Sequence, residues 1–239
     1  RLYRQALEYE PDYVPAMTYL GNLQYRFRRD LDGAEALFRK ALELRPEDTT
    51  ALNSLGSLLF SARKDYAESE RCYRRVLAID PDDIMALNNL GRLLEVTRPG
   101  DMAESERLYR RVLEIEPRHA AALTNLGYLL YAVHKDYAEA ERLYRRAIEV
   151  APGDAAALNN LGLLQATARR DLAQAEELYE RALKADPKNV AAMKNLAHLY
   201  RFKKELGKAE FLYRRALALD PNSAEVSEGL AAVQAQRKR

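Results

Sequence analysis

Imidazole and thiol are the side chains best suited to bind zinc or to activate a nucleophile near neutral pH, and this chain of 239 residues has three histidines and one cysteine. His119 and His134 fall in turn-like stretches and His198 in a helical one, with no carboxylate or Cys recurring beside them at a ligand spacing. Neither a zinc set nor a nucleophile with its base is indicated. Cys72 is alone, which excludes an intramolecular disulfide. It stands in a column otherwise filled by Leu37, Leu108, Leu143, Leu178 and Leu212, so it reads as a buried structural thiol. Gly21, Gly56, Gly91, Gly127 and Gly162 lie inside helical patterns instead of ahead of a helix, so they form no phosphate loop. A chain without catalytic residues, metal or cofactor is expected.

Charge offers a second chemistry. Arg74, Arg75, Arg110, Arg111, Arg145, Arg146, Arg214 and Arg215 recur in "YRR" phrases, as a surface for an anionic polymer would require. However, Glu70, Glu106 and Glu141 precede Arg74, Arg110 and Arg145 by four residues, the favourable order for a helical ion pair. The 38 basic and 36 acidic residues leave a formal charge of only +2. A solvated, self-neutralising face is expected, and nucleic acid is not. The turn cations Arg29, Lys64, Lys135, Arg170 and Lys204 stand near helix C-termini, where the macrodipole favours them. No apolar run nears the roughly 18 residues of a membrane span. One cysteine leaves the redox compartment open and suits a reducing one; a cytoplasmic location is the leading expectation.

Amides are the remaining recurrent group. Tyr19, Ser54, Asn89, Asn125, Asn160 and Asn195 occupy one column, and Asn53, Asn88 and Asn159 stand one step earlier. A primary amide carries donors and an acceptor, so a row of them can pair with the backbone of an extended ligand whatever its side chains. Alternatively, each amide bonds an adjacent repeat. One helical turn further the same face carries Asn22, Ser57, Arg92, Tyr128, Leu163 and His198, then Phe60, Glu95, Tyr131 and Arg201. That mixture predicts a ligand of mixed polarity.

Position for these groups must come from a repeat. Pro11, Pro46, Pro81, Pro117, Pro152, Pro187 and Pro221 are separated by 35, 35, 36, 35, 35 and 34 residues. Within one unit, Leu52, Leu55, Leu58 and Leu59 recur at helical intervals. "RKD" interrupts, and Tyr66, Cys72, Tyr73, Val76 and Leu77 resume the pattern, so each unit is two helices. Capping-box phrases "DYAE", "DMAE" and "DLAQ" start second helices at 65, 136, 101 and 171, whereas "DLDG" at 30 and "ELGK" at 205 lack the third-residue partner and should fray. Pro closes each second helix. Each mid-helix Gly costs about 1 kcal/mol against Ala. It is expected to lie under the aromatic column Tyr3, Phe38, Tyr73, Tyr109, Tyr144, Tyr179 and Tyr213, with Ala197 the one departure. The small column Ala34, Ser69, Ala103 to Ser105, Ala140, Ala175 and Ala209 permits close packing between helices.

The combined phrase "ALNNLG…DYAEAE…LYRRAIEV.P" resembles the tetratricopeptide repeat, over nearly the whole chain. The resemblance implies an all-α, right-handed superhelical solenoid of antiparallel helix pairs. It would run through residues 1–239 as one domain: 1–11 the second helix of a truncated repeat, 16–221 six helix-pair repeats, and 222–239 a C-terminal capping helix. The chain opens without Met inside a repeat phrase, so a preceding segment is expected. The rival pentatricopeptide repeat, which binds single-stranded RNA, shares the period but not the side-chain columns. First helices would line a concave groove receiving an extended peptide or partner helix. Candidate contacts are Asn53, Asn88, Asn89, Arg92, Asn125, Tyr128, Asn160, Asn195 and His198. The family's carboxylate clamp for acidic chaperone tails is not expected, since the matching positions hold Thr50, Met85, Ala121, Ala156 and Ala191. A non-catalytic protein-interaction scaffold is the leading expectation. The Asn column also resembles the ladder of the enzymes that attach N-acetylglucosamine to Ser and Thr, so a substrate-recognition region of a larger enzyme is an alternative. A third is end-to-end self-association through the apolar N-terminal half repeat, Leu2, Tyr3, Ala6 and Leu7.

Overall fold

The computed structural model describes residues 2–28 and 30–237, so the turn cation Arg29 and the last two residues of the basic C-terminal tail lie outside the described residues. All secondary structure in the described residues is helical, in two compact units, 1–117 and 118–239. The first unit holds α1 (Leu2–Tyr9), α2 (Val14–Leu23), α3 (Leu31–Leu44), α4 (Thr49–Leu58), α5 (Tyr66–Ile79), α6 (Ile84–Thr97) and α7 (Ala103–Ile115). The second holds α8 (Ala120–Leu129), α9 (Tyr137–Val150), α10 (Ala155–Leu164), α11 (Leu172–Ala185), α12 (Val190–Phe202), α13 (Leu206–Leu219) and α14 (Ala224–Arg237). Helices adjacent in sequence pack together within each unit, as the helix-pair reading requires.

The mid-helix glycines are explained by contact. A Cβ on Gly56 would lie 2.8 Å from Tyr73 Cε1, and on Gly21 2.6 Å from Phe38 Cε1. Gly91, Gly127 and Gly162 stand the same way under Tyr109, Tyr144 and Tyr179, all rings with at most 1% exposure. Burying each ring is worth about 1.5–3 kcal/mol, more than the helix cost of the Gly beneath it. In two repeats a serine in the small column reinforces the joint: Ser69 Oγ donates to Gly56 O at 2.8 Å and Ser105 Oγ to Gly91 O at 3.1 Å. Tyr213 has a joint that the repeat columns do not reveal. Gly229 of α14 lies over it, with a Cβ there only 2.6 Å from the ring.

Repeat length selects the turn between paired helices. In the four repeats of 35 residues, the first helix ends in a π-helical turn, at Gln24–Arg28, Leu59–Arg63, Leu130–His134 and Gln165–Arg169. The 34-residue repeat has none, and the 36-residue repeat carries α6 straight to Thr97 before a Pro99–Gly100 loop. One surplus residue is thus absorbed as a π turn, and two as a loop. Lys64, Lys135, Arg170 and Lys204 then close their turns at φ 61°, 58°, 58° and 62°. This left-handed conformation costs an L residue about 1–2 kcal/mol.

The capping expectations hold at Asp65, Asp136 and Asp171, whose side chains accept from the backbone N–H three residues on. Asp30, whose phrase lacks only the third-residue partner, also caps α3, accepting from Gly33 N–H at 3.0 Å. One needs correction. At Asp101 the longer loop makes Met102 the helix boundary, so the carboxylate accepts from Ala103 N–H, two residues on, at 3.3 Å instead of from the N–H three residues on. Glu205 makes no side-chain cap on α13.

Candidate functional site

In the first unit, α2, α4 and α6 line a groove with Tyr19, Asn22, Tyr25, Thr50, Asn53, Ser54, Ser57, Asp83 and Met85. Asn22 Nδ2 donates to Ser54 Oγ at 3.0 Å, tying α2 to α4. Asn53 donates through Nδ2 to both carboxylate oxygens of Asp83 at 3.2 Å, and Asp83 itself caps α6. Asn53 is 4% exposed, and its Oδ1 is buried without a hydrogen-bond partner. On α6, Asn88 is buried and Asn89 half-buried, while the exposed Arg92 lies over the Phe60 ring at 5.7 Å. Glu95 accepts from Tyr109 O–H at 2.6 Å, and burial pushes its carboxyl above the usual carboxylate range.

In the second unit the amides form a relay. Asn195 Nδ2 donates to Asn159 Oδ1 at 2.9 Å, and Asn159 Nδ2 to Asn160 Oδ1 at 3.3 Å, so three amides link α12 to α10. Asn125 is half-buried and Tyr128 exposed on α8. Tyr131 O–H and Thr167 Oγ1 are 2.9 Å apart, joining one repeat to the next. His198 is half-buried, set edge-on to Tyr213 with centroids 5.6 Å apart, and its buried Nε2 has no hydrogen-bond partner. Burial and the nearby Arg201 lower its pKa.

The candidate residues therefore divide. Asn53 and Asn88 are buried, and Asn53 ties one repeat to the next. Asn89, Asn125, Asn160, Asn195 and His198 are half-buried, and Arg92 and Tyr128 face solvent. Sequence reasoning missed the caps of the first helices, Asp48, Asp83, Asp154 and Asn189, although an Asp or Asn two residues after Pro would have marked them. It also missed that His119 fills the same place, its Nδ1 accepting from Ala122 N–H at 3.1 Å.

The arginine-rich face is internally satisfied. Arg74, Arg110, Arg145 and Arg214 pair with Glu70, Glu106, Glu141 and Glu210 at 2.6–2.8 Å. Arg75 and Arg215 donate to the carbonyls of Pro46 and Pro187, each at 2.6 Å, and Arg111 to Asp82. The same glutamates take a second cation from the following repeat: Arg98 reaches Glu70 at 2.7 Å, and Arg169 reaches Glu141 at 2.8 Å. Among the described residues no group of three or more His, Cys, Asp or Glu could hold a metal ion, and no helix is long and apolar enough to cross a membrane.

Two tetratricopeptide repeat family models match the sequence, one over residues 166–233 and the other over 1–48, 25–84 and 129–190. No curated protein sequence matches it. Among solved structures, a chain of the APC/C hetero-tetramer Cut9–Hcn1 superposes with a TM-score of 0.84 at 15% identity, covering 97% of this chain and 45% of that one. This chain thus spans less than half of that protein's length. PilF of Pseudomonas aeruginosa gives 0.71 at 21% identity, covering 92% and 97%. YrrB, described as a TPR protein with an unusual peptide-binding site, gives 0.55 at 22%, covering 81% and 96%. At these identities the likeness is one of fold. With repeated helix pairs, Gly–ring joints and family models covering more than half of its length, the chain belongs to the tetratricopeptide repeat family.

Proposed function

We propose that this chain is a non-catalytic module that holds an extended segment of a protein partner along the amide-bearing row of its first helices. The observation that carries this reading is the half-buried amide on a first helix of each unit, Asn89 on α6 and Asn160 on α10. A primary amide there carries donors and an acceptor that can pair with the backbone of an extended ligand. Asn125 and Asn195, half-buried on α8 and α12, occupy the same column of the repeat in the second unit. The peptide-binding site described for YrrB is consistent with such a use of the fold. The ligand face mixes hydroxyl, amide, aromatic and apolar groups, so the partner is of mixed polarity.

The test changes Asn89, Asn125, Asn160 and Asn195 together to Ala, after circular dichroism has established equal helicity. Loss of at least tenfold in affinity for peptides selected on the parent chain supports the reading, and unchanged affinity refutes it. A second reading, association of copies through α1, is favoured by its surface. The helix buries none of its residues, and Leu2 is 79% exposed. Light scattering that gives a monomer at every concentration rejects it.

A further inference from the structure

The second unit's groove differs from the first in one respect that bears on its partner: its floor is apolar and its rim is cationic. Leu163, Ala166, Leu172 and Leu199 line a hollow of about 560 Å³ beside Phe202, which is 74% exposed. A second hollow continues past Phe202 and is lined by His198, Arg201, Lys204 and Leu206. Arg170 stands on the rim of the first hollow. The acid in this region, Glu225, is held by Lys194 Nζ at 2.7 Å.

The turn cations come in successive pairs, and the two members behave differently. Arg169 and Lys203 reach back to Glu141 and Glu176, at 2.8 and 2.5 Å. Arg170 and Lys204, the residues that follow, adopt the left-handed conformation that glycine takes without strain. Among the described residues neither they nor Arg201 has a carboxylate within 4.0 Å. The turn therefore accepts long cations at strained positions, directs them to the groove, and leaves them without a counter-ion among the described residues, in a chain whose other face is laced with ion pairs.

We infer that the second unit binds a peptide segment in which a bulky aliphatic or aromatic side chain enters the hollow beside Phe202 and nearby carboxylates meet Arg170, Arg201 and Lys204. Apolar burial anchors the side chain. Charge complementarity selects acidic neighbours and rejects basic ones. The inference rests on the peptide-groove reading above and adds the chemistry of the partner.

The test is a selection of random twelve-residue displayed peptides on the full chain, read against a variant carrying Arg170→Gly and Lys204→Gly. Glycine fits both left-handed positions, so the variant removes charge without disturbing the turns. The expected pool couples Leu, Ile, Met or Phe with two or more Asp or Glu within three positions. It loses at least tenfold in affinity for the variant and keeps its affinity for the control Lys64→Gly in the first unit. A pool without acidic enrichment, or one that binds the variant as well as the parent, overturns the inference. If such a pool still fails on the four-Asn variant, the groove reading stands and the acidic preference alone is wrong. Failure to select any pool sinks both. Tighter binding of a twelve-nucleotide oligo-dT than of the selected peptides, lost in the same variant, would assign the cations to nucleic acid instead.

Discussion

Replacing Gly56 by Ala tests the joint on which the repeat depends, because two effects of known size oppose each other. Alanine gains about 1 kcal/mol in helix propensity at an interior position. Its Cβ, however, would lie 2.8, 3.0 and 3.2 Å from Cε1, Cζ and Cδ1 of Tyr73, a ring with 0% exposure. Carbon contacts are favourable near 3.5–4.0 Å, so the ring or the helix must retreat by roughly 0.5 Å or more in a packed core. Overpacking of this kind costs about 1–3 kcal/mol, which leaves a net loss on the order of 1 kcal/mol. Gly207, near the start of α13, has nothing within 4 Å of its would-be Cβ, so Gly207→Ala should stabilise, by up to about 1 kcal/mol. Urea unfolding followed by circular dichroism, fitted with nearest-neighbour coupling between repeats, measures both. A Tyr73→Leu change in the Gly56→Ala background should recover part of the loss, giving a coupling energy of about 0.5–3 kcal/mol. If Gly56→Ala stabilises as much as Gly207→Ala, the close-approach explanation of the mid-helix glycines is wrong.

Members of the aromatic column should respond to loss of the hydroxyl with different signs. Tyr109→Phe breaks the bond to Glu95 and should cost about 1.5–3 kcal/mol, whereas Tyr213→Phe removes a buried hydroxyl without a partner and should be neutral or stabilise by about 1 kcal/mol in the same urea assay. Glu95→Gln should raise stability at pH 7. The folded carboxyl titrates above its unfolded value, so its favourable contribution is full in acid and is lost as pH rises through the folded pKa. The difference between Glu95 and Gln should therefore close in acid, and a difference that persists there contradicts the assignment. Cys72, 5% exposed and with its thiol pushed up to about 11 by burial, should resist a disulfide reagent in the native protein and react fully in urea. Rapid native labelling would mean that the second-helix packing is looser than described.

Much of this architecture is legible in the sequence, because a repeat writes each structural demand several times. The Pro spacing, the Gly beneath each ring and the Glu–Arg spacing are local signals, and each corresponds to a contact in the structure. What was not legible depends on neighbours that sequence does not order. The π turns follow from a single surplus residue, which the spacing contains but which could equally have become a loop, as it does with two surplus residues before Asp101. Gly229 lies under Tyr213 from a different helix and a different column, so no alignment of repeats reveals it. The double role of Asp83, cap of one helix and acceptor for Asn53 of another, likewise requires two repeats to be brought together. The amide column was visible, but its division into buried ties and half-buried amides was not, since adjacent asparagines differ only by their angle around the helix.

The most direct test of the groove is a titration of the side-chain amide resonances of the Asn residues with a selected peptide, followed by NMR. Binding along the first helices predicts that the Asn89 and Asn160 amides shift together and saturate at the affinity measured for the peptide, while the Arg75 and Arg215 guanidinium signals on the second helices stay unchanged. Shifts confined to those arginines, with the Asn amides unmoved at saturation, would contradict the account.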